Sequence, residues 1–149
     1  MEKLENRFEW QEFPADNESY PQMRDYVIGV AEEGGLSMKA QLKIELGIEE
    51  TLVNVISYAY KEPGKVWIYA AMDEEKQIFF IHIVDYGVPF NPLEKDAVPS
   101  PDTPIEERKP GGYGIKFMKN TFETVEYYYE DFAGKEANHL YLAFNCNNK

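Results

Sequence analysis

The sequence predicts an α+β fold, a two-layer sandwich with helices on one face of a mainly antiparallel sheet. Two helical segments follow each other, and two pairs of strands are each joined by a polar turn. A long proline-rich loop separates the two strand pairs. Strands joined by short turns pair antiparallel, and helices that accompany such strands form a second layer. Because the 149 residues show one composition and no internal repeat, a single domain at 1–149 is expected.

The order of the elements follows from hydrophobic spacing. Helical segments have apolar residues every three or four positions, whereas strands alternate or are rich in β-branched and aromatic residues. Gly34 and Gly35 are expected to end the first helix, and Ser37 to cap the second. The predicted elements are a strand at 6–13, a turn at 14–17, helices at 20–33 and 38–60, strands at 66–72 and 77–84 around a turn at 73–76, a loop at 86–112, a helix at 112–122, and strands at 124–129 and 139–145 around a turn at 131–138.

Composition and charge narrow the function classes. The formal net charge is −12, from 15 basic and 27 acidic residues, which opposes a nucleic-acid binder that relies on surplus Lys and Arg. A small anionic ligand is compatible, since it needs only local positive charge and backbone N–H groups. One cysteine, Cys146, excludes an internal disulfide. With no signal-peptide-like start and no long apolar run, we expect a cytoplasmic protein without membrane contact.

A polar stripe runs beside the apolar face of the longest predicted helix. At about 100° per residue, Glu50, Asn54 and Ser57 fall on one side together with Lys43 and Gly47. Taken alone, such a stripe is typical of a solvated helix face. Asn is a poor mid-helix residue, however, and a Glu–Asn pair four residues apart stabilises a helix only slightly. A functional role for the pair is favoured once other motifs accompany it.

A second motif begins at Asp85, at the end of a strand, and reads D-Y-G-V-P-F-N-P. A carboxylate at this point can accept a hydrogen bond from an exocyclic amine, while Gly87 lets a flat ring approach the backbone. D-x-G alone is more typical of a turn.

A third motif, rich in glycine, opens the last predicted helix and consists of Gly111, Gly112, Tyr113, Gly114 and Ile115. Glycine-rich backbone that runs into a helix N-terminus offers N–H groups and a favourable dipole to phosphate. Lys109 adds positive charge nearby. Each feature has an ordinary alternative, a turn for the glycines and a surface position for the lysine.

Together the three motifs resemble the Bergerat, or histidine-kinase-like, ATPase superfamily, in its order and spacing over nearly the whole chain. E-T-L-V-N with S-Y-A-Y, from Glu50, is similar to the N-box of that superfamily, the string at Asp85 to its G1 box, and residues 111–115 to its G2 box. The likeness is greatest to bacterial anti-sigma-factor serine kinases, whose helix reads E-x-x-x-N-x-x-x-H-A-Y. Tyr58 replaces the common His of that group, and Val53 replaces a common Thr.

The resemblance implies a Bergerat ATP-binding fold and a role for each matching residue. Glu50 would be the catalytic base, and Asn54 would hold Mg²⁺ on ATP. Asp85 would contact the adenine amino group, with Gly87 against the base. The phosphates would be bound by Lys109, Gly111, Gly112, Tyr113, Gly114 and Ile115. Residues 93–110 would form the ATP lid.

The function that the resemblance implies is that of an anti-sigma factor and serine/threonine protein kinase. Such a protein holds a sigma factor inactive and phosphorylates a STAS-type anti-anti-sigma protein, which releases the sigma factor when unphosphorylated. The departures at Val53 and Tyr58 leave open an ATP-dependent binding module without kinase activity. A detached histidine kinase catalytic domain is less favoured, because no dimerisation and phosphoacceptor helices precede the motifs. A homodimer is left open.

The two histidines are expected to be structural rather than catalytic. Alternation places His82 on the strand face of Phe80 and Val84 and not on that of Asp85, and His139 is expected to be exposed. Neither has carboxylates at metal-ligand spacing, so no zinc site is expected.

Overall fold

A computed structural model describes residues 10–58, 64–87 and 120–146. In these ranges the chain forms two long α-helices, a short 3₁₀ helix at Asn17–Ser19 and a five-stranded antiparallel sheet with the strand order β1-β2-β3-β5-β4, so the predicted α+β class is confirmed. The elements are β1 (Gln11–Pro14), α1 (Tyr20–Glu33), α2 (Met38–Tyr58), β2 (Lys65–Asp73), β3 (Ile78–Asp85), β4 (Thr124–Phe132) and β5 (Lys135–Asn145). The predicted lid and most of the predicted helix at 112–122 lie outside the described residues.

The hydrophobic core lies between the sheet and the two helices. Alternate residues of the central strands point into it, and each helix contributes one apolar face, so burial of each large side chain stabilises the fold by about 1.5–3 kcal/mol. The fully buried side chains include Met23, Val27, Ile44, Ile48, Ile68, Phe79, Ile81, Ile83 and Leu142. Because Ile81 and Ile83 face the helices, the strand alternation also places Asp85 on the helix side of the sheet.

The predicted helix boundaries between α1 and α2 are confirmed. Gly35 has a φ of +88°, in the left-handed region that glycine adopts readily after a helix end. The hydroxyl of Ser37 accepts a hydrogen bond from the backbone N–H of Ala40 at 3.1 Å, which caps α2. Among the described residues, no helix is long and apolar enough to cross a membrane.

Gly47 lets the ring of Phe122 approach α2 closely. A Cβ at position 47 would lie 2.8 Å from Cε2 of Phe122, a side chain that is only 1% exposed. Gly29 in α1 has no heavy atom within 4 Å of the same ideal position. Both glycines have a helical backbone conformation, but only Gly29 has room for a larger side chain.

We expect Gly29→Ala and Gly47→Ala to have different effects on stability. Alanine in place of helical glycine gains about 0.5–1 kcal/mol in both variants, because the unfolded chain loses freedom. At Gly47 the overpacking against Phe122 opposes this gain by about 1–3 kcal/mol. Urea unfolding should therefore show Gly29→Ala to be more stable than wild type and Gly47→Ala to be less stable than Gly29→Ala. Equal stabilisation of both variants would contradict the close packing at Gly47.

The polar turn predicted at 131–138 is wrong, because the last hairpin is much tighter. Phe132 pairs directly with Lys135, so only Ala133 and Gly134 form the loop. Their φ angles are 55° and 98°, as two-residue hairpin turns that match the strand twist require. The charged residues around the turn thus belong to strands, and Asn138 lies inside β5.

An aromatic cluster covers the face of the sheet opposite the helices. His82 is 8% exposed and lies there, on the strand face predicted for it, with its Nε2 3.0 Å from Nδ1 of His139. The expectation that His139 is exposed is wrong, since it is fully buried. Strand β4 covers His139. The ring of Tyr128 stacks on the imidazole with 4.6 Å between ring centroids, and Nε2 of His139 donates to the carbonyl of Glu130 at 3.1 Å.

Candidate functional site

The carboxylate of Asp85 is buried at the end of β3, with 4% of the residue exposed. Its Oδ1 accepts hydrogen bonds from the backbone N–H of Gly87 at 2.8 Å and from Nδ2 of Asn138 at 2.9 Å. Within the described part of the chain, Oδ2 receives no hydrogen bond. A buried carboxylate is unfavourable unless its oxygens meet donors, so Oδ2 is suited to a donor that a ligand brings.

Burial raises the pKa of Asp85 above its ordinary value, and the hydrogen bonds from Asn138 and Gly87 oppose the rise. Because the folded state raises the pKa of Asp85, stability falls as the pH rises from the ordinary pKa to the raised pKa, and the full cost of the ionised carboxylate remains at higher pH. The fold therefore keeps a carboxylate where it is costly, as is typical of binding sites.

Asn138 fixes the orientation of the Asp85 carboxylate and was missed in the sequence analysis. The two residues lie opposite each other in the pairing of β3 with β5. The Asn138 amide also donates to the Gly87 carbonyl at 3.3 Å, and its Oδ1 accepts from the hydroxyl of Tyr127. Tyr127 was likewise not among the predicted site residues. The alternation of Asn138 with Leu140 and Leu142 was the available signal, but the predicted turn at 131–138 hid it.

We expect Asn138→Ala to reduce stability and to change the titration of Asp85. The variant leaves Oδ1 of Asp85 with one donor in a buried position, which costs about 1–3 kcal/mol. Since the Asn138 hydrogen bond lowers the pKa of Asp85, the variant should raise it further. Urea unfolding and carboxyl-carbon NMR titration measure the two effects. Asn145→Ala in the same strand is the matched control, because the Asn145 amide donates to the exposed carboxylate of Glu123 at 3.3 Å and not to Asp85.

Glu50 and Asn54 both belong to α2, one turn apart. Glu50 is partly exposed, and no described residue forms a hydrogen bond or an ion pair with its carboxylate. At about 100° per residue, Glu50 lies near the flank of the helix on which Gly47 contacts Phe122. A carboxylate that the described residues leave without a partner can accept a proton.

The structure brings together part of the predicted site. Asp85 and Gly87 are in direct contact and are joined by Asn138 and Tyr127. Outside the described part of the structure lie the side chain of Asn54 and the residues predicted to bind phosphate, which are Lys109, Gly111, Gly112, Tyr113, Gly114 and Ile115. The described residues contain no cluster of three or more His, Cys, Asp or Glu side chains that could hold a metal ion.

A protein family model and a solved structure are similar to this chain. The family model of the histidine kinase-like ATPase domain matches residues 13–144. A solved structure, the histidine kinase domain from the Erythrobacter litoralis EL346 blue-light activated histidine kinase, is similar with a TM-score of 0.46 and 11% identity. The match covers 73% of this chain and 46% of that chain, so this chain spans less than half of that structure's length. No curated protein matches the sequence. Since the family model covers most of the chain, the protein belongs to the histidine kinase-like ATPase domain family and is an ATP-binding domain of that kind.

Proposed function

We propose that the protein is an anti-sigma factor and serine/threonine protein kinase that phosphorylates a STAS-type anti-anti-sigma protein. The observation that carries the proposal is the carboxylate of Glu50, which no described residue pairs with and which lies on the same helix as Asn54 in a domain of the ATP-binding family. A carboxylate with no partner among the described residues is available as a base for an incoming hydroxyl. The resemblance of this helix to that of the anti-sigma-factor kinases supplies the class of substrate.

The adenine of ATP fits the free oxygen of Asp85. The exocyclic amine of adenine is a donor, and Oδ2 of Asp85 is an acceptor that the described residues leave without one. Because Gly87 and Asn138 donate to Oδ1, the plane of the carboxylate is fixed with Oδ2 as the acceptor for the ligand. The site therefore favours a purine with an amine over one with a carbonyl at the same position.

Phosphoryl transfer needs positioning, charge neutralisation and one base. The hydroxyl oxygen of the protein substrate forms a bond to the γ-phosphorus of ATP, and the bond from this phosphorus to the β–γ bridging oxygen breaks. ADP leaves with that electron pair, and the hydroxyl proton passes to Glu50. Mg²⁺, when bound through Asn54 and the phosphate oxygens, would neutralise their charge. The phosphates would also contact Lys109 and the backbone of residues 111–115.

The proposal is tested by phosphoryl transfer to the STAS-domain proteins of the same genome. Each is purified and incubated with the chain, Mg²⁺ and ATP labelled at the γ-phosphate. We expect one of these STAS-domain proteins to gain acid-stable phosphate on serine or threonine. We also expect a sigma factor to bind the chain when that STAS-domain protein is absent. Acid-labile phosphate on histidine, or no transfer to any of these proteins, would contradict the proposal.

The alternative is a binding module in which ATP controls partner affinity without phosphoryl transfer. It is favoured by Val53 and Tyr58, which stand where the resembling kinases have Thr and His. The same assay separates the two functions, because the alternative predicts ATP-dependent partner binding and no labelled product.

A further inference from the structure

Three apolar side chains on α2 face solvent and form a continuous ridge. Met38 is 84% exposed, Leu42 is 56% exposed and Leu46 is 43% exposed. Only one other large hydrophobic side chain is exposed in the described part of the chain, Tyr129 at 38%. Single exposed apolar residues are ordinary, but a group of them on one helix usually marks an interaction site.

The ridge lies on the side of α2 that faces away from the core. At 100° per residue, the buried positions Ala40 and Ile44 are about 160° from Leu42, the middle of the ridge, and Ile48 is about 120° from it. Core packing therefore does not explain why Leu42 and Leu46 are apolar.

The ridge leads directly to Glu50. Side chains four residues apart form a continuous row on a helix surface, and Glu50 is the next member of the row after Leu46. Each step advances about 6 Å along the axis, so Glu50 lies about 12 Å beyond Leu42 and about 18 Å beyond Met38. A protein that covers the ridge is thereby brought to the candidate base.

We infer that Met38, Leu42 and Leu46 form the docking surface for the protein substrate whose hydroxyl is phosphorylated. This inference rests on the proposed kinase function. It specifies the partner by chemistry: a folded protein with an apolar patch at roughly 12–18 Å from its phosphoacceptor serine or threonine. Residues of opposite charge flank the ridge along α2. Lys39 lies on the flank toward which Glu50 is rotated, and Glu49 lies on the opposite flank. The partner should carry the complementary arrangement around its apolar patch.

The inference is tested with the double variant Met38→Glu and Leu42→Glu. Both positions are exposed and at least two turns from Glu50, so the fold, ATP affinity and kcat should be unchanged. The probe is the STAS-domain protein that accepts phosphate from the wild-type chain. Its KM should rise about 10- to 100-fold, because the apolar contact is lost equally from the bound state and the transition state.

Two further variants control the measurement. Tyr129→Glu makes the same change at the exposed apolar residue outside the ridge and should leave KM within about twofold of wild type. Leu42→Met keeps the apolar contact and should keep the wild-type KM. Circular dichroism melting checks that the variants remain folded.

The remaining outcomes overturn the inference in different ways. If the wild type phosphorylates no STAS-domain protein, the proposed function fails and the docking surface fails with it. If the wild type is active and the double variant keeps its KM, only the docking surface is wrong. If sedimentation shows a wild-type dimer that the double variant dissociates while KM is unchanged, a second copy of the chain covers the ridge instead.

Discussion

Glu50→Gln should reduce phosphoryl transfer to the protein substrate by about 10²–10⁴-fold while leaving ATP affinity nearly intact. The amide has the size and shape of the carboxylate but cannot take the proton of the attacking hydroxyl. In the described structure no residue pairs with the Glu50 carboxylate, so the substitution breaks no ion pair or hydrogen bond there. Single-turnover transfer with labelled ATP gives the rate, and calorimetry gives the affinity.

Glu49→Gln is the matched control, because it makes the same change at the adjacent residue of α2, which is exposed. At a saturating concentration of the protein substrate, it should transfer phosphate at a rate within a few-fold of wild type. A wild-type rate in Glu50→Gln would exclude Glu50 as the base. A loss of ATP affinity as large as the loss of rate would show that Glu50 acts in binding and not in proton transfer.

Asp85→Asn should lower ATP affinity by roughly 10- to 100-fold, since a buried polar mismatch costs about 1–3 kcal/mol. The donors Gly87 and Asn138 hold the amide oxygen of the new residue at the position of Oδ1. Its amino group then takes the position of Oδ2, where it meets the donor amine of adenine. Two donors face each other, and neither has an acceptor.

Inosine triphosphate provides the control for this arrangement, because its base has a carbonyl where adenine has an amine. The Asp85→Asn variant should discriminate less between the two nucleotides than wild type, or should prefer inosine triphosphate. Calorimetry with both nucleotides measures the preference. Unchanged affinity for ATP would show that Asp85 does not contact the adenine amine.

The local features of this chain could be predicted because each depends on residues close in sequence. The apolar spacing of α1 and α2 follows from the helical repeat, and Gly35 and Ser37 end and begin helices through their own backbone and side-chain properties. The order of helices and strands then limits the architecture to an α+β sandwich. The same reasoning places Asp85 at the end of a strand and Glu50 with Asn54 on one helix.

The last hairpin shows where this reasoning stops. Polar residues on both sides of Ala133 and Gly134 are typical of a long turn. The two strands that they form are stabilised by the local pairing of β4 with β5 and by the long-range pairing of β5 with β3. Because β5 pairs with β3 as well as with β4, residues that look like loop residues belong to strands.

The tertiary structure alone decided how the candidate site is built. Asn138 meets Asp85 from 53 residues away because the register of β3 and β5 aligns them, and no local pattern sets that register. The same contact determines which carboxylate oxygen the described residues leave without a donor, since Oδ1 already has two. Likewise the sequence shows Leu42 and Leu46 on a helix, but only the packing of the opposite helix face into the core shows that they remain exposed. Local propensity determines the elements, whereas long-range pairing and packing determine which of their side chains are free to bind.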